Sequence, residues 1–272
     1  MNNILPTDET SSAISKMHEL NVTYRGTGKS VLFLHGLLAS RSYWGRVIEG
    51  LDALKYATYT FDLLGFGDSP KPKTATYDVD TQVDNVYAYI KKNKLKSFTL
   101  VGHSMGSLVA IRFAVKYPEL VNKLILCNTP LFTDGQDIRQ VIAASNIAPR
   151  LMVEGKFARI LCVTARHIPY VDVLLRYYPH RLPSDIKADF LNHTWNSYSK
   201  SLKNLIMAYD PVPDMKKLKM PVFALLGGKD KITSPFVASA KLPANVATKV
   251  VPNADHHLPV FHSNEVVNKI QG

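Results

Sequence analysis

The sequence predicts an α/β domain: a mostly parallel β-sheet flanked by helices, with a helical insertion breaking into it. Three observations carry that reading. Short apolar runs rich in β-branched and aromatic residues, each closed by Gly, Pro, Asp or Asn, recur along the chain, as strands buried on both faces do. Stretches with apolar residues at helical spacing fall between them, and strand–helix–strand alternation is the mark of a parallel sheet covered on two sides. Between about Leu131 and Pro213 the alternation stops, and helical stretches punctuated by prolines take over.

The elements follow in order. His18 to Tyr24, with the Gly26/Gly28 turn, reads as an antiparallel edge pair. Val31–Leu34 and Ala57–Phe61 are the first two buried strands. Val79, Val83, Val86, Tyr87 and Ile90 repeat at helical spacing, with Asp78 and Asp80 at the start and Lys91, Lys92 and Lys94 at the end, which suits the helix dipole. Phe98–Val101 is a strand, Leu108 to Tyr117 a helix and Leu124–Cys127 a strand. The insertion comes next. Tyr198, Leu202, Leu205, Ile206 and Tyr209 form an amphipathic stripe near its end. Val222–Leu226 and Lys249–Val251 complete the sheet. The expected division is a core of residues 1–130 and 214–272 and a helical cap of residues 131–213. Long insertions between sheet elements commonly serve as lids or binding surfaces.

Composition narrows the class. The chain has 272 residues, 46% hydrophobic and 20% charged, a globular balance and long enough to bury a core without staples. Two cysteines, Cys127 and Cys162, suit neither a disulfide framework nor a Cys-rich zinc site. Met1 to Ser15 lacks the apolar core of a signal peptide, and no run approaches the ~20 apolar residues of a spanning helix. A cytoplasmic protein without a transmembrane segment is expected. Lys and Arg number 33 against 22 Asp and Glu, a formal net charge of +11. They are dispersed, with no basic helix or zinc finger, so no nucleic-acid partner is expected.

The sharpest motif is Gly102-His103-Ser104-Met105-Gly106, between the strand ending at Val101 and the helix after it. A G-x-S-x-G placed strand–turn–helix is a nucleophile elbow, with small residues where the two backbones nearly touch. A serine hydroxyl needs an adjacent base. His256, in the loop Asn253 to Pro259 after the last strand, is the candidate, with His257 its competitor. The imidazole needs a carboxylate to hold its tautomer. Asp230 in Gly227-Gly228-Lys229-Asp230-Lys231 is placed for that, with Asp134 the runner-up. Attack on a carbonyl creates an oxyanion that requires two donors. The N–H of Met105 is one candidate and that of Leu37, in His35-Gly36-Leu37-Leu38, the other. Gly36 lets that backbone come close.

Together these pieces resemble the α/β-hydrolase superfamily, in its serine-nucleophile subgroup with a helical cap. They are His35-Gly36, Phe61-Asp62-Leu63-Leu64-Gly65-Phe66-Gly67-Asp68-Ser69, Val101 to Gly106, Gly228-Lys229-Asp230 and Ala254-Asp255-His256 with Pro259. The resemblance covers residues 20 to 270 and implies the α/β-hydrolase fold with Ser104, Asp230 and His256 in triad order. Departures are Ser107 where many relatives carry Gly, Asp255 where Gly is common, and Phe261 and Ser263 where Glu and Pro often stand. Haloalkane dehalogenases and epoxide hydrolases of this fold use Asp at the elbow, so Ser104 points to acyl chemistry. The expected activity is hydrolysis of a small to medium ester through an acyl-enzyme, with no metal or cofactor. Carbon–carbon bond hydrolysis, lactone or thioester cleavage and perhydrolysis on the same residues are the alternatives, with a low-turnover binding protein behind them. Gly36, His103, Trp195 and Tyr198 are expected to contact substrate. Other cap residues offered for the pocket are Phe157, Tyr170, Tyr177, Tyr178 and Phe190, and Arg150, Arg159, Arg166, Arg176 and Arg181 for a substrate carboxylate.

Overall fold

The computed structural model describes residues 17–132, 159–160, 182–183, 186, 189 and 191–272. Asp134, Cys162, Arg150, Phe157, Arg166, Tyr170, Arg176, Tyr177, Tyr178, Arg181 and Phe190 lie outside the described residues. Arg159 is exposed.

Seven strands form one sheet in the order β1-β3-β2-β4-β5-β6-β7. They are β1 Val22–Arg25, β2 Lys29–Leu34, β3 Tyr56–Phe61, β4 Phe98–His103, β5 Val121–Cys127, β6 Val222–Gly227 and β7 Val246–Val251. All neighbouring pairs are parallel except β1 with β3. The edge strand is antiparallel, but its partner is not the strand across the Gly26/Gly28 turn. Both edges of β2 are already taken, by β3 and β4, so β1 docks on the free edge of β3, Val22 opposite Phe61.

Alternation along the strands explains why the runs are apolar throughout. In β2, Leu32 and Leu34 face one core, while Val31 and Phe33 face the other. β5 divides in the same way, Leu124 and Leu126 against Ile125 and Cys127. Helix α1 (Gly45–Glu49) belongs to the second face, and α2 (Val79–Lys92) and α3 (Met105–Lys116) pack on the first. Helix α2 buries Val79, Val83, Val86 and Ile90, and its N-cap Asp78 accepts from Thr81 N–H at 2.7 Å, satisfying one of the free donors of a first turn.

Between β5 and β6, the described residues 191–215 pack against the sheet. Helix α4 (Trp195–Lys200) opens with a Thr194/Ser197 capping box and runs into a π-helical segment, Ser201–Ile206. Lys200 Nζ donates to Ala75 O at 2.8 Å and Asn204 Nδ2 to Thr76 O at 2.7 Å. The amphipathic stripe divides. Leu205 enters the main core, whereas Tyr198 and Leu202 form a small cluster with Leu37, Leu38, Phe132, Trp195, Ile206 and Met207. Helix α5 (Val212–Met215) leads back to the sheet, α6 (Pro235–Lys241) joins β6 to β7, and α7 (Leu258–Phe261) and α8 (Ser263–Gln271) close the second face.

Because β2, β4, β5, β6 and β7 run parallel, the residues that follow them collect at one sheet edge, where open α/β sheets place their ligand sites. His35, Ser104, Asn128, Gly228–Asp230 and the loop to His256 all belong to that edge.

Candidate active site

The elbow is held in a conformation few side chains adopt. Ser104 has φ 50° and ψ −119°, a left-handed strain that persists only where its surroundings enforce it. Its N–H donates to Cys127 O at 2.9 Å. A Cβ on Gly102 would lie 2.6 Å from Gly106 O, and one on Gly106 would lie 2.2 Å from Leu34 O. The two flanking glycines are therefore demanded by backbone contact between β4, α3 and β2. Ser107 finds a use here: its hydroxyl donates to Gly102 O at 2.9 Å and lies 3.3 Å from Cys127 O.

Three side chains from three loops meet. Ser104 Oγ lies 3.1 Å from His256 Nε2, and His256 Nδ1 lies 2.8 Å from Asp230 Oδ2. Asp230 is buried. Its Oδ1 accepts from Ile232 N–H at 2.7 Å and Thr233 N–H at 3.0 Å, and the Thr233 hydroxyl donates to Oδ2. Burial pushes this carboxyl upward. The charge on His256 and the bonds from His256 and Thr233 outweigh it and bring the pKa to about 2, so the group is an anion at neutral pH.

The competing histidine points elsewhere. His257 Nδ1 lies 3.1 Å from the Tyr43 hydroxyl, and its backbone N–H donates to Asp255 Oδ1 at 2.8 Å. Burial, reinforced by the charge on His256, lowers its pKa to about 4. Asp255 thus spends its carboxylate on the backbone of His257. His103 also departs from expectation. It is 3% exposed and stacks on Tyr43 at 4.7 Å. Its Nε2 lies 2.7 Å from the His256 carbonyl, so its polar edge is turned to the loop carrying His256.

Gly36 and Leu37 belong to the loop facing the elbow; a Cβ on Gly36 would lie 3.2 Å from Ser104 Cβ. His35 fixes that loop. Leu63 N–H donates to its Nε2 at 3.0 Å, which leaves Nδ1–H to donate to Gly36 O at 2.7 Å. The Arg41 guanidinium binds buried Asp62, which also accepts Arg41 N–H at 2.7 Å and Asp68 N–H at 2.8 Å. Met105 opens α3, so its N–H precedes the helical ladder. Trp195 and Tyr198, with ring centroids 5.8 Å apart, join Leu37 and Leu38 in an apolar wall beside this loop. Sequence reading missed Tyr43, Asn128 and Thr233. Only Asn128 offers a sequence signal: it follows a strand immediately, as the other residues of this edge do. Among the described residues no cluster of three or more His, Cys, Asp or Glu could hold a metal ion, and no helix is long and apolar enough to cross a membrane.

The comparisons agree with this architecture. A family model described as the alpha/beta hydrolase fold matches residues 29–149. The probable lysophospholipase BODYGUARD 5 of Arabidopsis thaliana is 28% identical over 267 residues, covering 88% of this chain and 60% of that protein. The chain thus spans about 60% of the length of that plant relative. The 2-(acetamidomethylene)succinate hydrolase of Mesorhizobium japonicum is 25% identical, covering 88% of this chain and 85% of that protein. The crystal structure of an E-2-(acetamidomethylene)succinate hydrolase superposes with a TM-score of 0.74 at 22% identity, covering 93% of each chain. The fold is that of the α/β-hydrolases.

Proposed function

We propose that this chain is a serine hydrolase that cleaves a small to medium carboxylic ester through an acyl-enzyme, with residues 131–213 forming a cap over the site. One observation carries the reading: Ser104, His256 and Asp230 stand in hydrogen-bonded sequence at 3.1 and 2.8 Å. In the first step His256 Nε2 takes the Ser104 proton as Oγ bonds to the ester carbon. The carbonyl electrons move onto oxygen, which the N–H groups of Leu37 and Met105 receive. Asp230 accepts His256 Nδ1–H and stabilises the imidazolium. The C–O bond to the alcohol then breaks, and the leaving oxygen takes the proton from His256. Water, deprotonated by the same Nε2, attacks the acyl carbon and releases the acid, returning the proton to Ser104. The apolar wall of Leu37, Leu38, Trp195, Tyr198 and Leu202 supports an acyl chain as the recognised group. So does the likeness to a protein named a probable lysophospholipase.

The test is turnover of p-nitrophenyl esters of increasing chain length by the wild-type chain and by Ser104→Ala, alongside labelling by a fluorophosphonate. Ester turnover that disappears with Ser104→Ala supports the proposal; equal turnover in both proteins rejects it. A second reading, a different acyl substrate on the same residues, is favoured by the likeness to the 2-(acetamidomethylene)succinate hydrolase, which extends over 85% of that protein. Strong fluorophosphonate labelling of Ser104 with no turnover across the ester panel would select it.

A further inference from the structure

We infer that Asn128 is a positioning residue that locks the base-bearing and acid-bearing loops to each other and to the nucleophile strand. The inference rests on the proposed serine-hydrolase reading.

Asn128 stands directly after β5, fully buried, with φ 49°. Asn is among the few non-glycine residues that tolerate this region. Its side chain uses both ends. Oδ1 accepts Gly227 N–H at 2.7 Å, at the close of β6 and three residues before Asp230. Nδ2 carries two hydrogens and meets two carbonyls, Asp255 O at 2.9 Å and His256 O at 3.0 Å. Its backbone N–H donates to Leu225 O at 2.9 Å, and the preceding carbonyl, Cys127 O, receives Ser104 N–H at 2.9 Å. One residue therefore touches the acid loop and the base loop through its side chain, and sits one peptide away from the nucleophile.

The His256 carbonyl has a second donor. His103 Nε2 reaches it at 2.7 Å, and since a carbonyl only accepts, the proton of His103 is on Nε2. Tyr43 stacks behind this ring and brings its hydroxyl to His257 Nδ1 at 3.1 Å. The base is thus held by its main chain, leaving its ring to Ser104 and Asp230. No other side chain of similar size could replace the amide. Asp keeps the acceptor but loses both donors and turns an anion onto two carbonyls. Leu leaves Gly227 N–H and Asp255 O without a partner and the His256 carbonyl with His103 alone. Gly keeps the φ and removes the side chain, which separates the two reasons for Asn.

The experiment compares Asn128→Gly and Asn128→Asp with the wild-type chain. Rates are expressed per fluorophosphonate-reactive site, so that loss of folded protein is divided out. The expected result is a kcat about 10²-fold lower in both variants, the scale of a misplaced catalytic group, with KM changed by less than about threefold. The low-field proton resonance of the His256–Asp230 hydrogen bond should weaken or vanish in step. A purely structural Asn128 would lower thermal stability while leaving kcat per labelled site, KM and the proton resonance at wild-type values, and that outcome overturns the inference. Ser104→Ala is run in parallel. If it retains full ester turnover, the hydrolase reading itself has failed; if it is dead while both Asn128 variants turn over normally per site, only the inference has.

Discussion

The loop edge that carries Ser104, Asp230 and His256 and the wall formed by Leu37, Trp195, Tyr198 and Leu202 adjoin each other but are held by different forces. The edge is fixed by directional bonds: Thr233 on Asp230, Asn128 and His103 on the His256 carbonyl, and Cys127 on Ser104. The wall is held by apolar contact, with aromatic and aliphatic side chains only partly buried around Tyr198 and Leu202. A reacting group misplaced by an ångström costs orders of magnitude in rate. A hydrophobic pocket discriminates by only one to two orders per methylene. The two regions should therefore respond to mutation on different scales and in different kinetic constants.

The largest effect belongs to the proposed nucleophile. Ser104→Ala should reduce kcat by about 10⁶-fold, measured on the best ester of the panel, with an unchanged circular dichroism spectrum. Asp230→Asn should follow, at about 10⁴-fold in kcat, because the imidazole loses the partner that fixes its tautomer. The same variant alters acid stability. With a folded pKa of about 2 against 3.8 in the unfolded chain, ionised Asp230 stabilises the fold above about pH 4. That contribution is lost as pH falls through 2. Acid titration of Asp230→Asn should lack this component; an identical acid profile would contradict the ionised assignment.

On the wall, Trp195→Ala should change selectivity more than rate. We expect the preference for an octanoyl over a butyryl ester to shift by about tenfold in kcat/KM, while the acetyl ester is hydrolysed almost as before. A uniform loss across all esters would mean that Trp195 supports the catalytic edge instead. The smallest effect is at Ser107→Ala, which removes a donor from buried Gly102 and Cys127 carbonyls. It should cost about 1 kcal/mol, a drop of roughly 2–4 °C in Tm, with kcat within about twofold.

What could be read from the sequence follows the same division. The strands were legible because both faces of the sheet are covered, which makes each run apolar without interruption; Val31–Leu34 and Leu124–Cys127 divide between two cores. The elbow was legible because backbone contact at Gly102 and Gly106 forbids any Cβ. The partner of β1 was not, since which edge accepts a strand depends on what the remaining strands occupy. His103 was expected to contact substrate, but it closes β4 while Ser104 stands in the turn beyond it, and its ring goes to the His256 carbonyl. Asn128 holds its partner across folded space, 128 residues away, whereas Thr233 binds Asp230 only three residues back; a lone Asn or Thr has no periodicity to announce either role.

Peptide mapping after labelling with a fluorophosphonate addresses the centre of the account most directly. The predicted result is one phosphonyl adduct per chain, on the peptide containing Ser104, formed at a rate that falls steeply in Asp230→Asn. A protein that remains unlabelled under conditions that saturate a known serine hydrolase, or that carries its adduct on another residue, would contradict it.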